Sequence, residues 1–245
     1  MSFLRCTIGS ITLAFALGAS VALAAPSHVI GGDVFRLNQS SRDAKGGQAP
    51  SRYSLREIFD EKHLAELGQV SAQFNLGVMY TINERFTAAE HWYHMAALRG
   101  HREASYNLGV LYLNGQGVLR DDGQASRWFQ RAAERGLPEA QYQLGRMCYE
   151  GRGVPRDPQC ELQRYRESAE GRYPLAQHDL AVLYHLGEGV AQDEVEAFAW
   201  FSAADASGFD SRDALAVVGA TLTPEQRAAA AIRAARYVEL YARAR

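Results

Sequence analysis

The sequence predicts an all-α fold, a stack of four helical hairpins with capping helices at both ends, and three observations carry that expectation. Leu76, Leu108, Leu144 and Leu180 recur at steps of 32, 36 and 36 residues, each inside a similar stretch of chain. Within every stretch, apolar and small residues return at spacings of three and four, the period of an amphipathic helix. Glycines punctuate the periodic runs at matching places, where a helix has to end.

Taken in order, residues 1–24 read as an export leader: one positive charge at Arg5, an apolar run over residues 8–23, and the small-residue site Ala22-Leu23-Ala24. The run is short for a bilayer span, so cleavage after Ala24 and a periplasmic or secreted location are expected, with no transmembrane segment left afterwards. Cys6 lies at the front of the apolar run, the wrong end for a lipid-attached cysteine. Residues 25–50 are rich in Ser, Gly, Asn and Gln and read as a flexible linker, with "HVIGGDVF" open to a local strand or a docking segment. Residues 51–71 form a capping helix, in which Ser54 and Glu57 make a capping box and Ala65 and Gly68 keep register with Ala97 and Gly100.

The hairpins follow at 72–103, 104–139, 140–175 and 176–212. Gly77, Gly109, Gly145 and Ala181 come directly after the leucines, small enough for the second helix to approach. Tyr80, Tyr112 and Tyr184 share a column that Cys148 fills in the third hairpin, and Trp92, Trp128 and Trp200 share one that Arg164 fills. The connection reads "LNGQGVLRDD", "EGRGVPRD" and "LGEGVAQD" in the last three hairpins and is four residues shorter in the first. A phosphate-binding loop occurs once, after a strand; a glycine pair that recurs in each unit after a helix turns the chain instead. Asp121, Asp157 and Asp193 are placed to cap the second helices. Gly100, Gly136 and Gly208 are placed to end them in a left-handed residue, a role Gly171 takes one position early. Residues 213–245 supply closing helices: a short one at 213–220, then one with Thr223 as cap and Pro224 at its first position. The arginines of that helix, Arg227, Arg233, Arg236 and Arg243, read as a solvated face.

The pattern A-x-x-x-L-G-x-x-Y-x-x-G-x-G-V-x-x-D, then A-x-x-W and A-A-x-x-G, resembles the Sel-1-like repeat family, relatives of the tetratricopeptide repeats. The resemblance implies a right-handed α-solenoid. It also implies an assembly scaffold or regulator, since family members restrain signalling, support secretion or motility, or contact polysaccharide-export machinery. Some secreted members have been credited with beta-lactam binding or hydrolysis, which leaves a beta-lactamase-like or cell-wall-acting enzyme as the alternative.

The residues themselves argue against enzymatic chemistry. There is no G-x-S-x-G elbow, and no cysteine is set against a base at a recognisable spacing. His91 with His94, and His178 with His185, share helix faces but lack a third ligand, so neither a metal nor any other cofactor is expected. A net charge of -2 without a block of like charges gives no footprint for nucleic acid. Export would place Cys148 and Cys160 in an oxidising compartment, where thiols twelve residues apart either pair or stand free.

A protein or peptide partner, one from an envelope complex included, is the expectation that remains. In tetratricopeptide-like stacks the first helices line the concave face, and the resemblance turns Phe74, Tyr106, Tyr142 and His178 inward as a ladder. Asn75, Asn107, Gln143 and Asp179 beside them could bond a peptide backbone, with Arg146, Tyr149 and His185 a turn further along. Packing as core is the competing role for Tyr106 and Tyr142.

Overall fold

The computed structural model describes residues 53–242, which form eleven α-helices and no strand. In chain order these are α1 (Leu55–Glu66), α2 (Val70–Ile82), α3 (Phe86–Leu98), α4 (Arg102–Asn114), α5 (Asp122–Ala133) and α6 (Pro138–Glu150). They continue with α7 (Pro158–Glu170), α8 (Pro174–Leu186), α9 (Glu194–Ala206), α10 (Arg212–Thr221) and α11 (Pro224–Tyr241). The leader, the linker with its "HVIGGDVF", and Arg243 lie outside the described residues.

Helices α2 to α9 are four hairpins, and each first helix packs between the second helix of its own hairpin and the one before, with α1 serving as that neighbour for α2. This arrangement explains why the repeated leucines are sealed: Leu76, Leu108 and Leu180 have no exposed surface. It also explains the small column. A methyl added at Gly109 would sit 2.6 Å from Cε1 of Phe129, and one at Gly145 would sit 2.6 Å from Cδ1 of Tyr165. These rings belong to a second-helix column, Tyr93, Phe129, Tyr165 and Phe201, that fills the space the missing side chain leaves.

The glycine loops have a packing role between hairpins. Gly115, Gly151 and Gly187 end the first helices in the left-handed region, and Asp121, Asp157 and Asp193 accept hydrogen bonds from backbone amides of the following helices. The second glycine of each loop then rests on the N-terminus of the preceding hairpin's second helix. A methyl at Gly117 would strike the Phe86 carbonyl carbon at 2.5 Å, and its positive φ of 72° already excludes most side chains. Thr87 and Gln159 donate to the carbonyls of Gly117 and Gly189 at 3.4 and 2.9 Å, and Ser126 donates to Gly153 at 3.4 Å.

The first hairpin makes the same seat without glycines. The Asn83 side chain accepts from the Tyr53 amide at 2.9 Å and donates to the Tyr53 carbonyl at 3.0 Å. One expected cap differs: Gly171 has a φ of -71°, and the left-handed residue is Arg172 at 66°. Gly171 is needed for room instead, since a methyl there would meet Pro138 Cγ at 2.7 Å.

Ser54 and Thr223 both form complete capping boxes, with Glu57 and Gln226. At the far end α11 lies along α9, with Trp200 4.6 Å from Tyr237 and 5.1 Å from Tyr241 between ring centroids. Glu196 of α9 accepts from Tyr237 at 2.6 Å and from Arg233 at 2.8 Å, so Arg233, its side chain still 42% exposed, also ties α11 to α9. Arg227, exposed as expected, donates to the Gly219 carbonyl at 3.0 Å.

Candidate functional site

The aromatic ladder packs against the second helices, with Phe74, Tyr106 and Tyr142 buried and His178 half-buried. Tyr106 is 1% exposed and Tyr142 is 4% exposed, and every ladder ring meets the second-helix ring of its own hairpin. Phe74 lies 6.0 Å from Tyr93, Tyr106 5.4 Å from Phe129, Tyr142 5.3 Å from Tyr165 and His178 5.0 Å from Phe201, between centroids. Residues just before the next first helix close the other side: His101 stacks on Phe74, Tyr173 packs on Tyr142 and Phe209 on His178. The physical reason is that a helix with neighbours on both flanks buries positions two before the leucine as well as the leucine itself.

The polar candidates divide. Asn107 and Gln143 are buried in the same layer, while Asn75 is exposed and donates to Glu61 at 2.9 Å. His185 pairs with Glu194 at 2.8 Å at the start of α9. His178 stands 3.0 Å from the Ser211 hydroxyl, and burial pushes its pKa down to about 4, so it is neutral at pH 7. Ser211 is 1% exposed, so that pair is a packing contact and not an approachable nucleophile and base.

What the structure does bring together lies where the third and fourth hairpins meet. Helix α6 presents Tyr142, Arg146 and Tyr149 at spacings of four and three, one stripe of a helix. Tyr142 donates its hydroxyl to Asp179 of α8 at 2.9 Å. Burial pushes Asp179 up to about 6, against the pull of that hydrogen bond and of Arg146. Arg146 also pairs with Glu150 at 3.1 Å, and Arg156 lies over the Tyr149 ring at 5.6 Å.

The residue missing from any sequence-level list is Glu161. It occupies the column of Ala89, Ala125 and Ala197, each of which has no exposed surface, and it is itself only 8% exposed. Burial first, then the nearby charges of Glu188 and Asp179, raise its carboxyl to about 7, with Arg156 pulling the other way. Stacking the four hairpins would have found it, because an acid in a column of alanines is a charge in a core position. Beside it, Cys148 and Cys160 form a disulfide that ties α6 to α7, with Cα atoms 6.0 Å apart, closing the alternative of two free thiols.

Among the described residues no three His, Cys, Asp or Glu side chains stand as a set able to hold a metal ion. No described helix is long and apolar enough to cross a membrane.

A tandem stack of helical hairpins, each seated on the last, defines a repeat solenoid built to present surface. The family model described as Sel1 repeat matches residues 70–82, 86–101, 102–137, 138–159 and 174–205. The chain belongs to the Sel1 repeat family, whose members are generally protein–protein interaction scaffolds and mostly not enzymes. It is similar to c5321, a protective antigen present in uropathogenic Escherichia coli strains displaying an SLR fold, at 28% identity and a TM-score of 0.71 over 85% of this chain. The match covers 45% of c5321, so this chain spans less than half of that protein's length. A Sel1 repeat protein from Oxalobacter formigenes shares the fold at 23% identity and a TM-score of 0.59, covering 74% of this chain and 82% of that one. No curated protein matches the sequence.

Proposed function

We propose that the chain is an exported interaction scaffold that holds a protein or peptide segment of a cell-envelope assembly at the junction of the third and fourth hairpins. The observation that carries this reading is Glu161, an acid in a core column the other hairpins fill with alanine, with Glu150, Asp179, Glu188, Arg146 and Arg156 gathered near it. Charge is costly to bury and contributes little to packing, so its retention points to recognition. Export rests on the leader at residues 1–24, and the description of c5321 as a protective antigen agrees with a place outside the cytoplasm.

The test is capture of a partner from envelope extracts by the tagged protein, repeated with Arg146→Ala and Tyr149→Ala together. Loss of the partner with an unchanged melting temperature supports the reading; equal capture by the variant removes the junction from it. Sequencing the N-terminus of the protein recovered from the periplasm should begin at Ala25, and a start at Met1 in the cytosol overturns export.

A further inference from the structure

Glu161 is a carboxylate without a matching cation. It is 8% exposed, its side chain makes no hydrogen bond or ion pair among the described residues, and the groups that act on it do so at longer range. Those groups come from every element around it: Arg156 on the loop before α7, Asp179 on α8, and Glu188 in the loop that follows α8. The charge of Glu161 also acts on the hydroxyls of Tyr149 of α6 and Tyr165 of α7. Arg146, on α6, is engaged by Glu150 and by the charge of Asp179, and Arg156 is drawn over Tyr149. Glu150 is paired by both Arg146 and Arg152, whereas neither Glu161 nor Glu188 has an ion pair among the described residues, and Glu161 is the more buried of the two.

The loop architecture places this cluster. Glu188 is the middle residue of Gly187-Glu188-Gly189, and the Gly189 carbonyl accepts from Gln159, two residues before Glu161. The seat that joins hairpins thus carries an acid from one hairpin to the buried acid of the other. The disulfide at Cys160 fixes the start of α7 to α6 immediately beside Glu161.

We propose that Glu161, flanked by Asp179 and Glu188, is the seat for one lysine or arginine side chain of the bound segment, a proposal that rests on the scaffold reading of this junction. A long aliphatic stem with a terminal cation can cover its methylenes and bring its charge to a largely buried acid. A bare divalent ion suits it less, because the acids do not converge as a ligand set. A cation beside these carboxyls favours their ionised forms.

The experiment uses the protein purified with its disulfide intact and titrated with acetyl-Gly-Lys-Gly-amide, its arginine counterpart and its norleucine counterpart, followed by amide chemical shifts. The lysine and arginine peptides should shift amides around Glu161, Asp179 and Glu188, and norleucine should not. Glu161→Gln should weaken the lysine peptide about tenfold, as expected for loss of a charge-assisted contact. Glu170→Gln, at the exposed end of α7, should leave it unchanged. If Glu161→Gln folds poorly, Glu161→Ala supplies the residue the other hairpins carry. The unmodified protein supplies a further readout: affinity for the lysine peptide should rise from pH 6 to pH 8. Shifts centred elsewhere, equal binding of norleucine, or the same shift map produced more tightly by calcium ions overturns the proposal. A partner captured equally by Glu161→Gln and the unaltered protein keeps the scaffold and removes the cation seat; lysine binding at Glu161 with no partner in any extract keeps the seat and removes the scaffold.

Discussion

The carboxamide of Asn83 holds both backbone groups of Tyr53, accepting from its N–H at 2.9 Å and donating to its carbonyl at 3.0 Å across thirty residues of sequence. This one side chain does at the first hairpin what a glycine loop does at the others. Asn83→Ala is expected to cost roughly 1–2 kcal/mol, the usual loss for two half-buried hydrogen bonds. The loss should be local, so native-state hydrogen exchange would show faster opening of α1 with the α6 to α9 amides unchanged.

Glu161 should make stability depend on pH. Its carboxyl rises from an ordinary 4.5 to about 7 in the folded protein. Below about pH 4.5 both states hold the proton and there is no penalty; between there and pH 7 the unfolded chain ionises first, so stability falls as pH rises. Asp179, raised to about 6 by burial, acts with the same sign. Glu161→Gln should raise the melting temperature at pH 8 and leave it nearly unchanged at pH 4, with a gain of at most about 3 kcal/mol. Parallel melting curves at both pH values check the prediction, and an equal effect at both would refute the assignment.

Reduction of Cys148–Cys160, which closes a loop of twelve residues, should lower stability by about 2–3 kcal/mol. The bond itself is read from the unreduced mass, two hydrogens below that of the reduced protein. Paired substitution to serine should reproduce the destabilisation and remove its sensitivity to reductant.

Gly109→Ala should cost roughly 1–3 kcal/mol, because its methyl would lie 2.6 Å from a fully buried Phe129 ring that has nowhere to move. Adding Phe129→Leu should recover part of that loss. A double-mutant cycle measures the coupling, and strictly additive effects would count against the contact.

Tyr142→Phe removes the hydroxyl that donates to Asp179 and holds its carboxyl down. The Asp179 carboxyl should then titrate above its present value near 6, which carboxyl-carbon NMR reads directly.

Much of the architecture was legible because repetition reveals itself in columns: the leucines, their small neighbours, the aspartate caps and the capping boxes all follow from register. The ladder of Phe74, Tyr106, Tyr142 and His178 was legible as one face, with binding and core packing both open, and for Tyr106 and Tyr142 the core role is the one found. Spacing tells which residues share a side of a helix, not how many sides are covered. Asn83 was not legible, since its partner is the backbone of Tyr53 and leaves no mark on side-chain identity. Arg172 in the left-handed region displaced Gly171 because the glycine was required for space against Pro138. At the junction, Arg146 and Tyr149 were visible from helix spacing, whereas Glu161 needed comparison with Ala89, Ala125 and Ala197 in the same column.

Four seats of the same kind, Asn83 on Tyr53 at the capping helix and Gly117 on Thr87, Gly153 on Ser126 and Gly189 on Gln159 between successive hairpins, are threaded by the chain in series. A tension applied at the two ends would load every seat equally. The stack should then yield one hairpin at a time, in a sawtooth, and not in a single rupture. Across the third hairpin the disulfide would shorten the length released, leaving one tooth narrower than its neighbours and so marking its place in the trace.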